Sequence, residues 1–153
     1  IRGSPREIAL GFALGLYVGM TPFMGFHTAI AVPFAALLKW NKISAAVGVW
    51  ISNPITAPFI YPFTFFIGAR LIGINNSAEA FQFSIISLLV TAPKILWALV
   101  IGGTITGIPI ALIGYNLSFS AISRYQESIR QKIAKQKARL SERKQRKRDK
   151  KRR

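Results

Sequence analysis

The sequence predicts an all-α membrane protein: broken or re-entrant helical hairpins, one further transmembrane helix, and a basic C-terminal tail that is helical or disordered. Three observations predict it. Uncharged runs cover 8–38, 43–69 and 95–123, each long enough at 1.5 Å per residue to cross a hydrocarbon core of about 30 Å. The first two runs are interrupted by Thr21-Pro22 and Asn53-Pro54. Proline lacks an N–H and pushes its predecessor toward extended geometry, so a straight helix cannot pass smoothly through either pair. Finally, charge is split. Residues 1–123 carry six basic and two acidic side chains, and 124–153 carry fifteen and three, so +12 of the net +16 lies in the tail. The chain therefore divides into a membrane domain, 1–123, and a basic tail, 124–153.

Composition removes whole classes of chemistry. There is no cysteine, which excludes disulfides, thiol nucleophiles and iron–sulfur clusters. One histidine and five scattered carboxylates give no metal-ligand spacing, so no metal or other cofactor is expected. A Ser–His–Asp arrangement would lack its acid, and the protein is not expected to be an enzyme. Arg2 and Arg6 precede an apolar run too long for a signal peptide.

Gly3-Ser4-Pro5-Arg6-Glu7 reads as a helix start: Ser4 caps, Pro5 suits the first helical position, and Glu7 favours the positive end of the dipole. The 31 uncharged positions from Ile8 to Leu38 would make a straight helix of about 46 Å, so Thr21-Pro22 is expected to divide them into halves near 8–20 and 24–38. The pair forms either a kinked span or a re-entrant hairpin, with Pro33 as a second kink. Gly11, Gly15 and Gly19 share one helix face and let another backbone approach. That backbone belongs either to the same chain or to a second copy in a homo-oligomer. Lys39-Trp40-Asn41-Lys42 reads as a basic interfacial loop.

The second run, Ile43 to Ala69, is expected to break at Asn53-Pro54 and again at Pro58 and Pro62. Its pattern loosely repeats the first, and paired interrupted segments point to a transport site between repeats. A polar interruption follows at 74–82, then a short apolar stretch, Phe83–Ala92, ending at Pro93-Lys94. Ile95 to Ser123 reads as a crossing helix with Gly102, Gly103 and Gly107 as close-packing points and Pro109 as a kink.

In the tail, Ile122, Gln126, Ile129, Ile133 and Leu140 form a helical stripe suited to a membrane surface. Beyond Arg143 nothing apolar remains, and disorder is expected there. Membrane lipids are the expected partners. With one tyrosine and no series of stacking aromatics, the tail is not expected to read nucleic acid. A Lys/Arg excess marks the cytoplasmic side, so both the N-terminus and the tail are placed there.

Polar groups near the breaks are few: Thr21, His27, Thr28, Ser52, Asn53, Thr56, Tyr61 and Arg70. His27 either bonds a freed backbone carbonyl or serves as a proton relay or headgroup contact. Asn53 and Thr56 either cap the second half-helix or face His27 across a pseudo-symmetric cavity. Arg70 offers a planar fork for a phosphate.

The elements Gly3-Ser4-Pro5…Ile8-Ala9-Leu10-Gly11-Phe12-Ala13-Leu14-Gly15…Gly19…Pro22…Gly25…His27-Thr28, followed by Trp50-Ile51-Ser52-Asn53-Pro54…Thr56…Pro58…Tyr61…Gly68, resemble a bacterial membrane family, domain of unknown function 2062, over about residues 3–120. The resemblance implies a multi-pass protein of the bacterial inner membrane and no assigned activity, with the tail as an extension beyond the shared part. A weaker likeness is to the DedA/VTT lipid-transporter group, which sets two re-entrant segments around a polar site. The acidic residues of that group's re-entrant motifs are absent from both breaks here. Two functions are expected to compete. One is passage or flipping of a phosphate-bearing lipid or other small anion through the paired breaks. The other is a non-transporting scaffold or adaptor whose tail binds anionic lipid or a partner.

Overall fold

The structure, a computed structural model, describes residues 3–74 and 85–152, with side chains for 3–74 and 92–142. It is all-helical: α1 (Pro5–Gly19), α2 (His27–Leu37), α3 (Lys42–Val49), α4 (Ala57–Leu71) and α5 (Ile85–Arg152), with no strand among the described residues. The chain divides into two compact units, Ile1–Phe119 and Ser120–Arg153. Within α5 lies Ala92–Glu142, which holds the one described helical stretch long and apolar enough, by length and composition, to cross a membrane.

Local chemistry explains most boundaries. Ser4 and Glu7 form a reciprocal capping box at α1, with Pro5 in the first turn. Asn41 caps α3 by accepting from the Ser44 N–H at 2.9 Å. α2 closes in a Schellman turn: the Lys39 N–H donates to Ala36 O and the Trp40 N–H to Ala35 O. Lys39 itself sits at φ 58, a left-handed position that favours glycine.

Several sequence expectations need correction. Pro58 does not break a helix; it lies in the first turn of α4, where a backbone N–H would have no helical partner anyway. Pro62 lies inside α4 without ending it. The stretch expected to end at Pro93 instead continues, since α5 runs through Pro93 and Pro109. All of the polar interruption at 74–82 except Ile74, and the first two residues of the Phe83–Ala92 stretch, lie outside the described residues. The tail is helical to Arg152, so the disordered alternative does not hold. Lysine, arginine, glutamine and alanine all favour helix when nothing apolar is required of them.

Glycines set the packing. A Cβ at Gly11 would strike the Asn41 carbonyl, one at Gly15 the Ala45 carbonyl, and one at Gly48 the Phe12 carbonyl. α1 and α3 thus lie backbone to backbone and run parallel, joined further by a 2.6 Å bond from Ser44 Oγ to Ile8 O. The glycine face of α1 is therefore packed against α3 of the same chain. α2 returns antiparallel to α1: its start is tied to Thr21, and the Asn41 N–H beyond its end reaches Glu7 O at 3.1 Å.

α5 provides the second seam. Gly68 meets Ala98, and Gly102 meets Thr64, so α4 and α5 are antiparallel. Gly103 meets Met20, Gly107 meets Tyr17, and Gly114 meets Leu16 and Phe12, so α1 and α5 are antiparallel too. It follows that α4 runs the same way as α1 and α3. Only the first broken run is a hairpin. The second continues onward past its break as an interrupted rod, and the loose sequence likeness between the runs does not become a repeated structure.

Candidate functional site

Both breaks arrive at the same place. Residues 20–26 separate α1 from α2, and 50–56 separate α3 from α4. Between them lies a cavity of about 470 Å³ lined chiefly by Met24, His27, Thr28, Trp50, Ser52 and Asn53.

The first break is held by its own polar side chains. Thr21 Oγ1 donates to Val18 O at 2.6 Å, and His27 Nε2 donates to Thr21 O at 2.8 Å. The carbonyl can only accept, so Nε2 carries a proton. His27 is 3% exposed. This is the carbonyl-satisfying role foreseen from the sequence, and it also fixes the ring at the cavity wall. Gly25 takes φ +92 with nothing within 4 Å of its added carbon, so glycine is required there by conformation and not by space.

The second break is an Asx-type turn. Asn53 Oδ1 accepts from the Ile55 and Thr56 N–H groups at 2.9 and 3.1 Å, and its Nδ2 donates to Trp50 O at 3.1 Å. Thr56 Oγ1 accepts from the Asn53 N–H at 3.0 Å and donates to Ile51 O. Ser52 Oγ and Tyr61 OH lie 3.4 Å apart, either able to donate. Among described side chains, no buried nitrogen or oxygen lacks a partner.

Of the residues singled out from the sequence, His27, Thr28 and Asn53 share the cavity. Thr21, Thr56 and Tyr61 brace its walls from behind. Arg70 does not belong to it. It lies 14 positions beyond Thr56, about 21 Å along α4, with its guanidinium 4.9 Å from the centre of the Phe66 ring. Charge at a helix end reads as a neighbour of the break in sequence, but the rod-like course of α3 and α4 carries it away. Among the described residues, no lysine or arginine lines the cavity.

The family described as "Uncharacterized protein conserved in bacteria (DUF2062)" matches residues 1–131. The chain belongs to this family. The match extends past the apolar part into the first turns of the basic tail, so those turns belong to the shared region and not to an extension of it. No curated protein and no solved structure matches the chain.

Proposed function

We propose that this family member is a multi-pass protein of the bacterial inner membrane that passes or flips a phosphate-bearing lipid or other small anion through the cavity at its two breaks. The meeting of both breaks at one cavity, with His27, Thr28, Ser52 and Asn53 in its otherwise apolar wall, carries the reading. It is supported by lengths. At 1.5 Å per residue, α1 reaches about 22 Å and cannot cross a core of about 30 Å alone, whereas α3 and α4 together reach about 34 Å. On this reading α1 and α2 form a re-entrant dip, α3–α4 is a broken crossing, and α5 is the return crossing. The Lys39–Lys42 loop lies beside the start of α1, and on the positive-inside rule this end faces the cytoplasm, while Arg70 and Lys94 lie toward the other end of α4 and α5. α2 begins without a side-chain cap, so its first-turn N–H groups and dipole favour an anion.

The test uses the absence of native cysteine. Thr28→Cys and Ser52→Cys in inner-membrane vesicles should react with a water-soluble maleimide. Protection of both positions from both sides of the membrane sinks the passage reading. Filling the cavity with Thr28→Trp should abolish movement of a fluorescent phospholipid between leaflets of reconstituted vesicles.

A second reading is favoured by the hydrogen bonds. Thr21, His27, Asn53 and Thr56 all bond their own backbone, as a break that only shapes a scaffold would require. In that case Thr28→Trp leaves function in cells intact, and deletion of 124–153 removes it.

A further inference from the structure

We propose that the basic unit of α5 pairs as a coiled coil with a helix of another protein that carries acidic residues along both edges of its apolar seam. The inference goes beyond the passage reading and does not depend on it. Ile122, Gln126, Ile129, Ile133, Gln136 and Leu140 follow one another at intervals of four, three, four, three and four residues. That alternation is the a and d seam of a heptad repeat, and α5 is helical throughout this stretch. Ile129, Ile133 and Leu140 are 37%, 48% and 53% exposed, on a helix whose remaining surface is mostly charged.

The width of the stripe favours a helix over a lipid surface. At about 100° per residue, its aliphatic members Ile122, Ile129, Ile133 and Leu140 fall within an arc of about 40°, with Gln126 and Gln136 beside them. A helix lying in the acyl boundary gains from buried apolar area and brings Trp, Phe or Leu to that face. A line confined to a and d is the narrower seam of a coiled coil, where a polar residue at a seam position fixes the register. A helix that lies flat on the leaflet after a crossing must also turn sharply, which helices do at proline or glycine. Neither residue occurs after Gly114.

Charge specifies the partner. The e and g positions that flank the seam hold Arg130 and Lys137 on one side and Lys132 and Arg139 on the other. Glu127 and Glu142 fall on the far face, about 140° and 200° around the helix from Ile122. A second copy of this chain is a poor match. In a parallel pair Lys132 meets Lys137 of that copy, and in an antiparallel pair basic edges again meet basic edges, so like charges oppose either arrangement. The complement is a helix of about three heptads with aliphatic residues at a and d and Glu or Asp at e and g.

The full chain in neutral-detergent micelles is titrated against two dye-labelled synthetic peptides. One has leucine at a and d and glutamate at e and g over three heptads; the other has the same composition in scrambled order. The ordered peptide should bind tighter by about tenfold or more. Ile129→Ser combined with Ile133→Ser leaves every charge in place and should remove that preference, whereas Ser128→Ala, off the seam, should keep it. Equal binding of the two peptides reduces the tail to bulk charge and overturns the proposal. Lipid is read separately, with bimane on Ile133→Cys in nanodiscs. Emission should be the same in phosphatidylcholine with and without phosphatidylglycerol. A blue shift confined to the discs that hold phosphatidylglycerol puts the stripe in lipid and overturns the proposal as well. Neither probe reaches the cavity at the breaks, so the passage reading stands or falls on its own test.

Discussion

Gly15→Ala places a methyl group in the seam between α1 and α3. The new carbon presses on the Ala45 carbonyl oxygen and stands 2.8 Å from Gly48 Cα and 2.9 Å from the Val49 nitrogen. Carbon atoms settle at about 3.5–4.0 Å, so the helices must part by roughly 1 Å. All three neighbours are backbone, and no rotamer change relieves the contact. Overpacking of this kind costs about 1–3 kcal/mol. Stretching the buried Ser44–Ile8 hydrogen bond, 2.6 Å long, adds about 1 kcal/mol, and the better helix propensity of alanine returns about 1 kcal/mol. A net loss of about 2 kcal/mol follows. Reversible unfolding in mixed micelles, followed by far-ultraviolet circular dichroism, measures it. Gly48→Ala presses on the same seam from the other side, 3.0 Å from Gly15 Cα, so the double variant should lose less than the sum of the two. A Gly15→Ala protein within 0.5 kcal/mol of the parent, or strict additivity, refutes backbone-to-backbone packing.

Three further outcomes are expected. Lys39→Gly relieves the left-handed residue at φ 58 and should raise stability by up to about 1 kcal/mol in the same assay, as left-handed backbone costs a side-chain-bearing residue about 1–2 kcal/mol. Asn41→Ala removes the α3 cap and should cost about 1 kcal/mol, with Asn41→Asp retaining most of it. His27→Ala leaves the Thr21 carbonyl without its donor and should cost about 1–3 kcal/mol; His27→Gln, which keeps a donor, should recover part of that loss in thermal unfolding.

Much of the layout was legible in the residues. Ser4-Pro5…Glu7 marks the first helix start to the residue, and Thr21-Pro22 and Asn53-Pro54 mark both interruptions. Three matters were not legible, each for a physical reason. Proline has two meanings, and Pro58 in the first turn and Pro62 inside α4 show that a proline can leave a helix standing. The sense of the chain after a break depends on partners far away in sequence. Gly68 against Ala98 and Gly103 against Met20 decide that α4 goes on and α2 turns back, and no local pattern carries that. The glycine seams themselves were half visible. Gly11-Gly15-Gly19 stood out, while Ser44-Gly48, Thr64-Gly68 and Ala98-Gly102-Thr106 carry the same four-residue spacing of small residues and would have named the partners. The same long-range sense of α4 sets Arg70 far from the break that it follows in sequence.

The unlike courses of the two interrupted runs limit how this molecule can move. Carriers built from matched inverted halves can tip like a seesaw, exchanging the shapes of the two halves. Here one half doubles back and the other goes straight through, so no such exchange of shapes exists. If the proposed passage opens, the two halves must open it unlike one another, because a folded-back arm and a straight run have no common shape to trade.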